Sequence, residues 1–425
     1  MSTDRSEENA SILQKIHLAV FPIFTKEVPK FLPMALLNFV TIFSFTMLRN
    51  TKDVLLLSAP NVAGASLPYA KFFLVLPISI VFSIVYIKLR NSIEFKKTYY
   101  VVMTFFVLFF AFFNFVLFPL QEYIHPDPET IRSIQLSFPV MANFIGLAGV
   151  WSFALYYVMA ELWGTYTLSV LFWQFANENV TTEESKRYYP LFILIGNIAL
   201  IGLSFVLEFI AKSYESNAGI NFINLTIIAS GAVMMFIFYY TNNFILTQER
   251  FQAHKPAPKK KKVKLSLSDS FKELFQSKYI LYIAIIVLSY GIMINIFETV
   301  WKEQLKVFFT VDGVTNQNQL LLFMSTYTFY TGVSTIVLNY ISKGIIRKCG
   351  WIVGASVTPI VATLSCVIFF LYCMNTSYLD PILVGLGAGA MFAVMFGASG
   401  VVFSKSSKYA FFDPTKEMSF IPIPA

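Results

Sequence analysis

Residues 151–178 read WSFALYYVMAELWGTYTLSVLFWQFANE, a long apolar run whose interior carries a single carboxylate, Glu161. About 20 apolar residues at 1.5 Å rise cross the hydrocarbon of a bilayer, so this run predicts a spanning helix with Glu161 well inside the membrane. An ionisable side chain at that depth is costly and faces a bundle interior or a wet cavity. The plain reading is that Glu161 only pairs with a neighbouring helix. The functional one is that it lines a site, with the rest of the chain as the cage around it.

Composition agrees with a membrane setting. The chain is 56% hydrophobic and 13% charged, with a mean hydropathy of +0.64, against about 25% charged residues in ordinary globular domains. The net charge of +8 reads as Lys and Arg held in cytoplasmic loops, not as a nucleic-acid surface. Cys349, Cys366 and Cys373 show neither metal-ligand spacing nor a disulfide framework and read as small hydrophobes.

The predicted fold class is all-α, a polytopic bundle with spans at 31–48, 71–87, 99–118, 151–178, 191–210, 222–240, 279–297, 320–341, 351–372 and 381–403. Residues 1–30 lack the charged start, apolar core and cleavage site of a signal peptide and read as a cytoplasmic segment. Residues 31–247 form a first half of six helices, 248–277 a basic linker containing HKPAPKKKKVK, and 278–425 a second half. The Lys/Arg bias of the loops places the N-terminus and the linker inside.

The two halves echo each other. In each, the first span is expected to end outside in a mixed-charge cluster, Arg49/Lys52/Asp53 and then Glu298/Lys302/Glu303. Parallel repeats joined by a basic linker match the major-facilitator plan, which holds substrate at the midplane between halves. That plan calls for twelve helices. The ten read here predict either an unusual ten-helix form or a C-terminally shortened chain.

Few charges stand near such a pathway. Arg49 and Lys52, expected where the first helix meets the outer face, read either as snorkelling anchors or as phosphate-binding cations. Glu161 and Glu298 could hold such cations in place or take up a proton. Lys416 and Glu417, in a Pro-marked segment, look by themselves like a cytoplasmic loop. Trp173, Phe175 and Tyr327 could stack on a base but read as packing.

The segments LRNTKDVL (48–55), AELWG (160–164), FWQFANE (172–178), SKRYYPLF (185–192), YGIMINIFETVWK (290–302) and SKSSKYAFFDPTKEMSFIP (404–422) resemble the nucleotide transporters of plastids and intracellular bacteria, the ATP/ADP translocase family. The resemblance implies counter-exchange of ATP and ADP, or proton-driven nucleotide uptake, across the inner membrane of an intracellular bacterium. It also implies four charged transport positions, which fall here on Lys52, Glu161, Glu298 and Lys416. An acidic residue is common in the family where Asn50 stands. The implied partners are ATP, ADP and the lipid bilayer, with no nucleic acid and no cofactor, the chain acting as a monomer.

Other classes fit less well. A membrane enzyme needs a nucleophile with a base, or metal ligands, converging within the bilayer. His17, His125 and His254 all fall in loops or tails. No ring-forming filter motif suggests a channel. A proton-coupled importer of nucleotides, NAD or another small solute remains the alternative.

Overall fold

The first helix, α1 (Val28–Ser58), has a proline in its first turn and runs 31 residues. That is about 47 Å at 1.5 Å per residue, well beyond the ~30 Å of hydrocarbon. The expected span stopped at residue 48, with the charges following it. Instead the helix continues through Arg49, Lys52 and Asp53 into Val54–Leu57, and Lys52 and Asp53 are buried inside it. Hydropathy alone reads a charge as a solvated end; here the charges are paired within the bundle, so the helix need not stop. The molecule is described by a computed structural model covering residues 23–248, 251, 277–385 and 391–420. Most of the expected 248–277 linker lies outside these residues.

After α1 come α2 (Ser66–Ser92) and α3 (Phe95–Leu117). Two short helices follow, α4 (Pro128–Ser137), capped by the Asp127 carboxylate on the Thr130 N–H at 3.0 Å, and α5 (Ala142–Gly149). α6 (Trp151–Asn179) leaves the 139–149 segment at an 80° bend. α7 (Thr182–Ser213) starts with a capping box: Thr181 accepts from the Glu184 N–H, and Glu184 accepts from the Thr181 N–H. α8 (Ser216–Ile245) completes this group.

The later helices begin with α9 (Lys278–Phe308). A hairpin of β1 (Thr310–Val311) and β2 (Val314–Thr315) turns the chain, with Asp312 and Gly313 at positive φ as a tight hairpin turn needs. Residues 317–374 are two helices, α10 (317–349) and α11 (351–374), meeting at Gly350. Gly350 has φ 86° and ψ 173°, a region essentially closed to residues with a Cβ. α12 (Thr376–Gly385) and α13 (Met391–Ser407) follow. α13 runs on through a π-helical turn, Lys408–Phe412, into α14 (Asp413–Phe420).

Seven of these helical stretches are long and apolar enough to cross a membrane on their own, residues 317–374 counting once. The bent 139–179 segment, the division at Gly350 and α13 account for the other expected spans. The bundle is polytopic and helical, as the sequence predicts. Phe72, Phe115, Phe236, Leu288 and Ile352 point outward from it, as a lipid-facing surface requires.

α1 is the common packing partner, touching α6, α7, α8, α9 and α10. Its approach to α6 depends on Gly164, where an added Cβ would lie 2.1 Å from the Phe45 ring. On the other side, Gly397 and Gly400 let α13 close on Trp301 and Phe297 of α9. These two close contacts bring the charged faces of α6, α1, α9 and α13 together.

Candidate functional site

On α1, Arg49, Lys52 and Asp53 share one face at helical three- and four-residue spacing. The Lys52 Nζ lies 2.9 Å from Asp53 Oδ1 and 3.1 Å from Glu161 Oε1 of α6. It also stands 3.7 Å from the ring centroid of Tyr157, one turn before Glu161, a cation–π contact. Asp53 turns its other oxygen, Oδ2, to Lys302 of α9 at 2.8 Å. Lys302 also reaches Glu298 Oε2, one turn earlier, at 3.6 Å.

Glu298 Oε1 receives Arg49 of α1 at 3.8 Å and the ammonium of Lys405 from α13. Lys405 donates in addition to the Tyr327 hydroxyl of α10 at 3.0 Å. Nearby, Asn50 Nδ2 donates to Thr328 Oγ1 at 2.8 Å, and Lys71 of α2 donates to Asn295 Oδ1 at 2.8 Å. Four cations, Arg49, Lys52, Lys302 and Lys405, thus meet three carboxylates, Asp53, Glu161 and Glu298. Ionised groups at membrane depth persist only when so paired, and the excess here is positive.

The structure therefore brings Arg49, Lys52, Glu161 and Glu298 into one network. Arg49 and Lys52 sit within α1 short of its end, and Lys52 is 3% exposed, held by its ion pairs instead of snorkelling. Glu298 likewise lies inside α9 instead of at its end. Lys416 stands outside the network on α14, where it is partly buried. Nor is its segment a loop, since α14 continues α13 directly.

Three members were not singled out from the sequence. Asp53 and Lys302 were counted only as parts of charge clusters, and Lys405 only as a letter in a motif. Lys405 follows the apolar 391–403 stretch among Ser404, Ser406 and Ser407, so the argument applied to Glu161 would have found it. Tyr327, read as packing, does pack on Trp301 with ring centroids 5.1 Å apart, but its hydroxyl belongs to the charged network. Phe175 and Trp173 are packing residues, against Phe238 and Tyr189.

Several cross-links between helices before the 252–276 stretch and those after it gather at the Ser58 end of α1. Besides Asp53–Lys302, the Ala65 N–H donates to Glu303 Oε2 at 3.1 Å and Asn318 Nδ2 to the Tyr214 carbonyl at 2.8 Å. Lys306 donates to the carbonyls of Ala59 and Val62. A cavity of about 540 Å³ opens there, lined by Asn61, Gln135, Asn143, Glu303 and Lys306 among others.

Among the described residues no three His, Cys, Asp or Glu side chains are grouped to hold a metal. His125 Nε2 sits 2.7 Å from Ser152 Oγ, beside the start of α6 and away from the charges.

A multi-pass membrane protein with a cationic network inside its helices has the makings of a transport protein for anionic solutes. The comparisons with known proteins bear on that class directly. Residues 6–425 match the model of the TLC ATP/ADP transporter family, and the chain belongs to that family. It is 36% identical over 422 residues to the ADP,ATP carrier protein 1 of Chlamydia pneumoniae, covering 96% of this chain and 81% of the relative. It is 35% identical over 432 residues to the ADP,ATP carrier protein 1 of Rickettsia prowazekii, covering 100% of this chain and 84% of the relative. A third relative, the ADP,ATP carrier protein 3 of Rickettsia conorii, is 34% identical over 432 residues, with 96% and 84% covered. No solved structure matches the chain.

Proposed function

We propose that the chain exchanges ATP for ADP across the membrane, with the phosphates held by the cations of the α1–α9–α13 network. The observation that carries this reading is one network of four cations and three carboxylates, largely enclosed at the junction of helices from the two ends of the chain, in a protein related to ADP,ATP carriers. Arg and Lys suit phosphate as fork and point charge respectively. Glu161, Glu298 and Asp53 hold those cations in register.

Residues 31–247 and 278–425 are the two moving halves on this reading, joined by a cytoplasmic linker at 248–277, and they rock about the network to expose it alternately to either side. The transporter is a monomer without a cofactor and is not an enzyme. It sits in the inner membrane of an intracellular bacterium, N-terminus in the cytoplasm. Lys416, outside the network, is assigned to transport by the motif resemblance alone. ATP carries one more phosphate than ADP, so the exchange moves net charge and responds to the membrane potential, ~2.3 kcal/mol per charge per 100 mV.

One observation favours proton-coupled uptake as a second reading. The Glu161 side chain is 30% exposed while those of Asp53 and Glu298 are 2% and 11% exposed, making it the most accessible proton acceptor of the three. Uptake of labelled ATP into proteoliposomes decides the matter. Exchange requires ADP inside the vesicles and no pH gradient. Uptake that ignores internal ADP and follows an imposed pH gradient would establish the second reading instead.

A further inference from the structure

Cations from three helices converge on the Glu298 carboxylate: Arg49 of α1, Lys302 of α9 itself and Lys405 of α13. They are not equally placed. Lys302 has a closer partner in Asp53, at 2.8 Å. Arg49 and Lys405 both turn to the one oxygen Oε1. That oxygen is shared by two full positive charges from helices at opposite ends of the chain, and a carboxylate brings only one negative charge to the three cations around it.

The surroundings hold Lys405 toward this point. Its ammonium donates to the Tyr327 hydroxyl, and its Nζ stands 5.7 Å from the Tyr327 ring centroid. Trp301 backs the same ring, and Gly397 and Gly400 fix the depth at which α13 approaches α9. A cation this confined loses little freedom on meeting an anion, so its contact retains most of its strength.

We propose that Lys405 is a phosphate-contacting residue for the exchanged nucleotide, and that Glu298 is the internal anion which the terminal phosphate displaces from Lys405 and Arg49. This inference rests on the nucleotide reading above. A phosphate offers more oxygens and more charge than one carboxylate, so it can satisfy both cations at once where Glu298 divides itself between them. Glu298 is then a competitor of the substrate for binding and a partner of the cations for the rest of the cycle. Removing its charge and removing the charge of Lys405 should have opposite effects on affinity, whereas a merely structural ion pair would make both losses alike.

The test is displacement of labelled ATP from the purified full chain by tripolyphosphate and by adenosine, in wild type, Lys405→Gln, Lys405→Arg and Glu298→Gln, with Lys186→Gln on the surface as control. Lys405→Gln should weaken ATP binding and tripolyphosphate displacement about 10- to 100-fold, the effect of losing one charge-assisted hydrogen bond. Adenosine should keep its potency, and Lys405→Arg should recover most of the loss. Glu298→Gln should bind ATP more tightly than wild type while exchanging it more slowly. Unchanged ATP affinity in Lys405→Gln, or an equal loss toward adenosine, overturns the proposal. Should Lys405→Gln fail to fold, weaker ATP binding by Glu298→Gln overturns it equally. A wild-type chain that binds neither ATP nor ADP would sink the nucleotide reading itself, and this inference with it.

Discussion

Asp53 on α1 and Lys302 on α9 stand 2.8 Å apart, carboxylate to ammonium, both side chains almost wholly buried. The pair ties helices more than two hundred residues apart in the chain by charge alone, and Asp53 serves Lys52 with its other oxygen. Removing one partner leaves the other a single counter-charge, Lys52 for Asp53 and the more distant Glu298 for Lys302, so each loss should cost less than the ~3–5 kcal/mol of a fully stranded buried charge. Asp53→Asn and Lys302→Gln should each lower the unfolding midpoint in detergent. The double variant should lose clearly less than the sum of the two. Strict additivity would mean the contact is not energetically coupled.

Glu161 is the carboxylate of α6 that holds Lys52, at 3.1 Å. Glu161→Gln keeps the size and the hydrogen-bonding capacity but not the charge. Nucleotide exchange in proteoliposomes should fall to background while the variant still inserts and purifies as wild type does. Normal exchange by this variant would reduce Glu161 to a packing residue.

Gly164 is required by its neighbour, not by its backbone angles. A methyl group there would collide with the Phe45 ring, and overpacking of this kind costs about 1–3 kcal/mol. Gly164→Ala should lower the melting temperature, and Phe45→Leu in the same chain should restore part of it. No recovery would indicate that the damage lies in the π-helical turn that begins at Gly164.

His125 supplies a pH response outside the spanning helices. Partial burial holds its imidazole below its ordinary value of 6.5, so the folded protein favours the neutral ring. Below that value the unfolded chain gains a proton that the folded one resists, and stability falls as pH drops through the mid-6 range and lower. His125→Asn should flatten that decline in melting temperature between pH 7 and pH 5. An identical decline in the variant would assign the acid sensitivity elsewhere.

The spans were legible because each is a long apolar run, and backbone groups in hydrocarbon leave helices few rivals. Helix ends were less so. The sequence put the end of the first span at residue 48 and that of the seventh at residue 297, since a Lys, Asp or Glu beyond an apolar run ordinarily marks water. Whether Asp53 meets a solvent molecule or Lys302 is decided by a helix more than two hundred positions away, which no local pattern records. Lys405 could have been read from its setting. That Lys416 stands on a helix could not, because the helical run of α13 continues unbroken through a π-helical turn into α14. Nor did the sequence show the 80° bend between residues 139–149 and α6.

Lys302 and Arg49, which join early helices to late ones through Asp53 and Glu298, are among the charges proposed to grip the substrate. Parting those helices with nothing bound would break Asp53–Lys302 and Arg49–Glu298, leaving Asp53 with Lys52 alone and Arg49 without the Glu298 carboxylate, and an ion left unmatched in this setting costs several kcal/mol. A bound polyphosphate removes that obstacle by matching the cations itself. Empty returns are therefore disfavoured, and each crossing needs a passenger. On the exchange reading proposed above, such a protein would leak little, and a cell's adenylate pool would stay constant in number while its members are swapped one for one.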